Sequence, residues 1–131
     1  MRVEPHLTFR GDCEEAFRCY ERLFGGQLLL LSYGSSPAAS TVSEAWRSKI
    51  VHATLALPDG ARLLGADVEQ FERMQGFYVL VAVREADEAR RVFDALADGG
   101  SVRMPLEQTF WSPAFGAVID RFGTPWEITV E

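Results

Sequence analysis

The sequence is short of the residues from which most catalytic and structural sites are built. It has only two cysteines, Cys13 and Cys19, and two histidines, His6 and His52, among 131 residues. The cysteines lie six positions apart on a predicted helix, about 120° away from a common face, so a disulfide between them is geometrically poor. We interpret both as small apolar residues of a protein in a reducing compartment.

Positive charge is scarce as well. Thirteen Lys and Arg side chains stand against nineteen Asp and Glu, which gives a net charge of −6. Such a composition disfavours a nucleic-acid partner, because phosphate binding requires clustered basic side chains. No apolar run approaches the roughly 18 residues of a membrane span, and the N-terminus lacks the charged-then-apolar layout of a signal peptide. We therefore expect a cytoplasmic protein with no membrane partner.

What is present is enough apolar sequence, 47% of the chain, for one domain covering residues 1–131. Apolar periodicity predicts, in the first half, strands at 3–10, 27–33, 49–57 and 61–65, a helix at about 13–24, and a polar linker at 66–75. In the second half it predicts strands at 76–83, 101–106, 115–120 and 126–130 and a helix at about 86–98. Asp12, with Glu15 three positions later, predicts a capping box. The small-residue loop between Tyr33 and Trp46 predicts a mobile lid.

The two halves repeat one pattern. Tyr20 and Leu23 of the first helix recur as Phe93 and Leu96 of the second, and each helix ends in a Gly-Gly pair. Such self-similarity predicts two β-α-β-β-β modules, at about 1–66 and 76–131. Because each half is too small to bury its own sheet, we expect an α+β fold whose curved mixed sheet surrounds one cavity, with the helices on the convex side.

Several short motifs carry a family resemblance. They are Pro5-His-Leu-Thr-Phe, Val51-His-Ala, Met104-Pro-Leu, Thr109-Phe-Trp and Asp120-Arg-Phe-Gly followed by Pro125-Trp. With the duplicated unit, they resemble the vicinal-oxygen-chelate superfamily of glyoxalase I, extradiol dioxygenases and bleomycin-resistance proteins, and within it the PhnB-like proteins. The resemblance implies a cavity for a small-molecule ligand and a homodimer, since relatives of this length often complete their cavities across a two-fold interface.

The resemblance also implies four positions that hold a divalent metal in the metal-using relatives. Carried over one at a time, they fall on Glu127, on Leu64, on Tyr78, and on either Pro5 or Glu4, depending on the register of the first strand. An open catalytic site needs about three protein ligands, and only Glu127 is clearly suitable. We therefore predict no metal and no other cofactor; a metal, if bound, would use Glu127 with His6 or Glu4.

Other candidate site residues follow from strand alternation and from aromatic positions. His52 shares a predicted strand face with Thr54; on the cavity side it would be an acid–base group, and otherwise it would bond to a neighbouring loop. His6 is open to the same two interpretations. Trp46 and Trp111 stand where loops would rim the cavity, whereas Trp126 is better explained as part of the core.

Three functions stay open. The first is a small-molecule-binding or sequestering protein of the bleomycin-resistance type, with ligand contacts from His6, Trp46, Tyr78, Trp111 and Glu127. The second is a metal-dependent lyase, isomerase or dioxygenase. The third is a metal-independent enzyme in which His52 is the catalytic acid or base.

Overall fold

The duplicated sequence folds into two copies of one β-α-β-β-β topology. The computed structural model describes all residues, 1–131, and divides into two units, Met1–Glu72 and Arg73–Glu131. The first unit contains β1 (His6–Phe9), α1 (Cys13–Phe24), β2 (Gln27–Ser32), β3 (Ile50–Ala56) and β4 (Arg62–Asp67). The second contains β5 (Val79–Val83), α2 (Ala86–Ala97), β6 (Ser101–Glu107), β7 (Phe115–Ile119) and β8 (Pro125–Val130).

Each unit has its own four-stranded mixed sheet, ordered β1-β4-β3-β2 in the first and β5-β8-β7-β6 in the second. The outer pair, β1 with β4 and β5 with β8, is parallel, and the other pairs are antiparallel. The predicted α+β fold of two such modules is confirmed. The strands form two separate four-stranded sheets, one in each unit, where the sequence analysis expected one curved sheet. Neither helix has the length and apolarity needed to span a bilayer.

In the first unit, α1 packs on one face of the sheet. Its buried residues include Phe17, whose ring lies 6.0 Å, centroid to centroid, from Phe9 on β1. Gly65 on β4 makes this close approach possible, because a Cβ added there would lie 2.5 Å from the Phe17 ring. Leu7 and Leu55 complete this core and are fully buried. The opposite face of the sheet is left without a helix.

The second unit repeats the arrangement. Phe93 of α2 is buried over Gly116 of β7, where an added Cβ would lie 2.7 Å from the ring. Ile128, which pairs with Gly116, is fully buried beneath the same helix. Trp126 is 1% exposed, so its predicted place in the core is confirmed.

The Gly-Gly pairs end both helices, as predicted, and their second members are needed for packing. A Cβ added at Gly26 would lie 2.1 Å from the Ala56 carbonyl oxygen. At Gly100 it would lie 2.2 Å from the Ile119 carbonyl oxygen. No side chain fits at either distance, so these glycines bring the start of β2 and of β6 against the end of the neighbouring strand.

The N-terminus of α1 is held differently from the prediction. The Asp12 side chain makes no capping hydrogen bond. Instead, the buried carboxylate of Asp67 accepts hydrogen bonds from the backbone N–H of Gly11 (2.8 Å), Cys13 (3.0 Å) and Ile50 (2.8 Å). Asp67 ends β4, so the strand runs into the region predicted to be a polar linker. Three amide donors offset the cost of burying its charge.

Asp120 forms a second buried carboxylate centre, at the turn between β7 and β8. It accepts hydrogen bonds from the N–H of Phe122, the N–H of Thr124 and the indole Nε1–H of Trp126, all at 2.9 Å. Asp120 thus orders the turn and, through Trp126, anchors it to the core.

The loop predicted to be a mobile lid has regular local structure. It forms three short 3-10 helices, Tyr33–Ser35, Pro37–Thr41 and Glu44–Trp46. The Tyr33 hydroxyl donates to the Asp67 carbonyl oxygen (2.7 Å), and the Gly34 N–H donates to the Arg47 carbonyl oxygen (2.8 Å). These hydrogen bonds order a segment that has few apolar contacts. Its role as a lid stays a prediction.

Candidate functional site

His6 and His52 lie on the face of the first sheet that α1 leaves open. Leu7 is buried beneath the helix, so its neighbour His6 points the other way. The same alternation applies to His52, which precedes the buried Ala53. Both histidines are exposed. The structure therefore places the two histidines on one face, as the strand patterns suggested for each.

These two histidines interact electrostatically. Partial desolvation on the sheet, followed by the positive charge of His52, lowers the pKa of His6 from its usual value. His6 is therefore mainly neutral at pH 7 and can accept a proton or a hydrogen bond. The His52 ring makes no hydrogen bond to the loop before β3, so the alternative role, ordering that loop, has no support from contacts.

Glu4 forms a hydrogen-bonded ion pair with Arg62. Both carboxylate oxygens accept hydrogen bonds from Arg62, at 2.8 Å from Nε and 2.7 Å from Nη2. The bond to Arg62 lowers the pKa of Glu4, so the carboxylate stays charged and paired. β1 begins at His6, so Glu4 and Pro5 both lie just before the strand. The choice between them as the inherited position stays a prediction.

Glu127 lies on the open face of the second sheet. It pairs with Leu80 on one side and with Ala117 on the other. At the corresponding point of the first sheet, Leu64 pairs with His6 and with Thr54. Glu127 and Leu64 therefore occupy equivalent positions, as the family resemblance implied.

The Glu127 carboxylate is partly buried and makes no hydrogen bond or ion pair with another residue. A carboxylate without a protein partner is available to accept a hydrogen bond from a ligand.

The donor set does not fit a catalytic metal. No group of three or more His, Cys, Asp or Glu side chains is arranged to hold a metal ion. Leu64 offers no ligand atom, and Glu4 is paired with Arg62. Because an open metal site needs about three protein ligands, no reaction step is assigned to a metal.

A pocket of about 480 Å³ opens in the second unit beside Tyr78. Strand alternation puts Tyr78, Ile119 and Pro125 on the face turned away from α2, the same face as Glu127. The pocket also contains two arginines and no acidic residue; its lining consists of Arg73, Met74, Gln75, Gly76, Phe77, Tyr78, Arg103, Ile119, Gly123 and Pro125.

Trp111 belongs to a different part of the second unit. The Phe110 and Trp111 rings lie 4.7 Å apart in an edge-to-face pair, and Trp111 is 53% exposed. The loop is held by Ser112, whose hydroxyl contacts the carbonyl oxygens of Ala114 and Val130, both at 2.8 Å. Trp111 lines a recess of about 440 Å³ formed by residues 108–113, separate from the pocket at Tyr78.

Trp46 packs against Tyr33, with ring centroids 6.3 Å apart. Its indole Nε1 is buried without a hydrogen-bond partner.

Cys13 is also buried, and burial raises the pKa of its thiol, so it is a packing residue and not a nucleophile. The interpretation of Cys13 as a small apolar residue agrees with this environment.

The pocket arginines were missed by the sequence-based predictions. Arg103 sits in a strand whose pairing with β7 is irregular between Val102 and Met104. Arg73 and Phe77 come from the segment predicted partly as linker and partly as strand. The available signal was Arg103 itself, an arginine within a predicted strand. The face on which it lies depends on how that strand pairs with β7, and a single sequence does not show this pairing.

Two βαβββ units, each with one sheet face free of helices, define the class of two-module proteins to which this fold belongs. The model of the Glyoxalase/Bleomycin resistance protein/Dioxygenase superfamily matches residues 4–128, and the chain belongs to that superfamily. The predicted family resemblance is confirmed.

Among curated proteins, the chain is similar to Protein YjdN of Escherichia coli (strain K12), with 32% identity over 144 residues, 99% of this chain and 95% of YjdN. Among solved structures, protein PA1353 from Pseudomonas aeruginosa has a TM-score of 0.91 and 39% identity, covering 100% of this chain and 98% of that one. The PhnB protein from Bacillus cereus has a TM-score of 0.81 and 26% identity, and both chains are fully covered, at 100%.

Proposed function

We propose that the protein binds a small organic molecule in the pocket beside Tyr78 and does so without a catalytic metal. The observation behind this is the pocket itself, whose volume of about 480 Å³ falls in the usual range for small-molecule sites, roughly 300–1,000 Å³. Phe77 and Tyr78 are 42% and 44% exposed, so aromatic surface is available to a ligand. This is the bleomycin-resistance type of function, which needs a lined cavity and no chemistry.

Glu127 is proposed to recognise a polar group of the ligand. It lies two residues beyond Pro125 on the same face of β8, about 7 Å along the strand. With no protein partner and no further metal ligands beside it, its carboxylate serves better as a hydrogen-bond acceptor than as a metal ligand. His6, Trp46 and Trp111 stay proposed ligand contacts on the grounds given above, although none of the three lines the Tyr78 pocket.

The test is a thermal-shift screen of small organic molecules against the wild type and two variants. A ligand at about 100 times its Kd stabilises the folded state by about 2.7 kcal/mol, which raises Tm by several degrees. Tyr78→Ala should abolish the shifts. Phe110→Ala, at a side chain 98% exposed and outside the pocket, should keep them. Equal loss in both variants, or shifts that survive in Tyr78→Ala, would place the ligand elsewhere.

The two histidines favour a second candidate function, a metal-independent enzyme with His52 as acid or base. They share one open sheet face, and the lowered pKa of His6 makes it a neutral partner for His52. A compound consumed by the wild type and by His6→Gln, but left intact by His52→Gln, would support this candidate. A compound that is bound and never consumed favours the binding protein.

We also propose a homodimer. Apolar side chains on the strands are exposed, including Leu29 (72%), Leu80 (55%) and Val102 (50%), and such surface is commonly covered by a second copy. Sedimentation at micromolar concentration should give about twice the chain mass of 14.6 kDa. A monomer mass would refute the dimer and leave the pocket unaffected.

A further inference from the structure

We infer that the ligand of the Tyr78 pocket is a small organic anion, with one oxyanion group held by Arg103 and Arg73 and an apolar or aromatic body beside Phe77 and Tyr78. The inference rests on the proposed binding function and adds the chemical class of the ligand. The shared chemistry is a carboxylate or a phosphate-type group, and the experiment below separates them.

Arg103 is placed to contact a ligand. The pairing of β6 with β7 shifts between Val102 and Met104, so Arg103 is the extra residue of a bulge, a feature that often redirects a side chain. It lines the pocket and makes no ion pair or hydrogen bond with another residue. A guanidinium is always charged and has five donors in a planar fork that matches an oxyanion, so Arg103 offers an unused binding group.

Arg73 adds a second positive charge. Its Nη2 donates to the Gln75 side-chain oxygen at 2.7 Å, and both residues line the pocket. Because glutamine is neutral, this bond orients the guanidinium without cancelling its charge. An oxyanion can therefore bind at Arg73 without first displacing a carboxylate.

The pocket lining carries positive charge, although the whole chain has a net negative charge. The protein has nineteen acidic and thirteen basic residues, yet two arginines and no acidic side chain line this pocket. A local positive potential in an acidic protein attracts anionic ligands selectively. The acidic residue next along the same face is Glu127, beyond Pro125. Its charge would repel a second anionic group, so a ligand with a single oxyanion at one end fits best.

The experiment measures binding of three matched probes to the ¹⁵N-labelled protein by NMR. The probes are 2-naphthoate, 2-naphthyl phosphate and the neutral 2-naphthamide, and the reporters are the pocket amides of Gly76 and Gly123. We expect saturable shifts at both glycines, with at least one of the two anions bound at least about tenfold more tightly than the amide. The tighter anion identifies the oxyanion type.

Arg103→Gln should remove the preference for the anions, and Arg103→Lys should keep part of it because the charge remains without the planar fork. Arg91→Gln, an exposed position on α2, makes the same change in net charge and should leave all three affinities unaltered. Equal binding of amide and anions, or a preference that survives Arg103→Gln, would overturn the anion assignment and leave a neutral-ligand pocket. If no probe, charged or neutral, moves the Gly76 and Gly123 amides, both the anion assignment and the pocket function fail.

Discussion

The two units share a packing face and differ on their open sheet faces. Beneath the helices, Phe17 over Gly65 and Phe93 over Gly116 repeat one contact. On the open faces, the equivalent positions on β4 and β8 hold Leu64 and Glu127. The adjacent positions on β1 and β5 hold His6 and Leu80. The duplicated scaffold therefore conserves what the core requires, and the chemistry differs where no core contact constrains it.

The difference has a physical cause. A residue beneath a helix must fill a fixed volume, and a change of one methyl group there is costly. On the open face no helix fixes the volume to be filled, and His6, His52 and Leu80 are exposed there, so charge and shape can change at these positions at low cost to stability. We therefore expect substitutions beneath the helices to change stability most, and substitutions on the open faces to change binding or protonation.

The largest effect is expected where both units rely on the same close contact. Gly26→Ala should cost about 3–4 kcal/mol, from overpacking against the Ala56 carbonyl and from the strain of its positive φ of 96°. Gly100→Ala, with the same clash and no such φ, should cost about 2–3 kcal/mol. Urea unfolding measures both.

Gly60→Ala is the matched control for Gly26. It has the same φ of 96° and nothing within 4 Å of the added Cβ, so only the strain of about 1–2 kcal/mol should appear. Equal losses at Gly26 and Gly60 would show that the close approach does not matter.

The next effect concerns Asp67, the buried carboxylate of the first unit. Asp67→Asn should cost about 2–3 kcal/mol, because the amide nitrogen of asparagine would face a backbone N–H that now donates to a carboxylate oxygen. Asp59→Asn is the control: it sits in an exposed turn, bonds only to the Ala61 N–H at 2.9 Å, and should change stability by less than about 0.5 kcal/mol. Thermal unfolding of the two variants decides, and comparable losses would deny Asp67 its role as anchor.

The helices and the internal repeat could be predicted from the sequence, whereas the buried carboxylate anchors could not. The apolar spacing and Gly-Gly stops of α1 lie within a dozen residues, so its bounds, Cys13–Phe24, were predictable. Asp67 binds Gly11 across 56 positions, a distance over which sequence pattern conveys nothing. The pocket arginines were missed for a related reason, since the bulge at Arg103 depends on the partner strand. Local patterns thus predicted the scaffold better than the binding surface.

A small effect concerns the histidines that only the first unit has. The pKa of His6 is lowered in the folded state, so the unfolded chain binds more protons below about pH 6.5, its ordinary value. This part of the stability is therefore complete above that pH and is lost as the pH falls below it. His52→Gln should raise the His6 pKa by removing the nearby positive charge, and the acid-side loss should shrink.

Histidine ring signals followed by NMR titration give the His6 pKa directly. His52→Lys, which keeps a positive charge, is the control and should leave the pKa low. A His6 pKa that is the same in the wild type and in His52→Gln would show that the two rings do not interact.

Elemental analysis of the protein purified without chelators tests directly whether the chain holds a catalytic metal. Because Leu64 stands at the position equivalent to Glu127, only one carboxylate is left where a metal site needs about three ligands, so we expect no stoichiometric metal. We expect the same result for Glu127→Gln and for the exposed control Glu107→Gln. About one equivalent of zinc, nickel, manganese or iron per chain, lost in Glu127→Gln and kept in Glu107→Gln, would contradict it and favour a metal-dependent lyase, isomerase or dioxygenase.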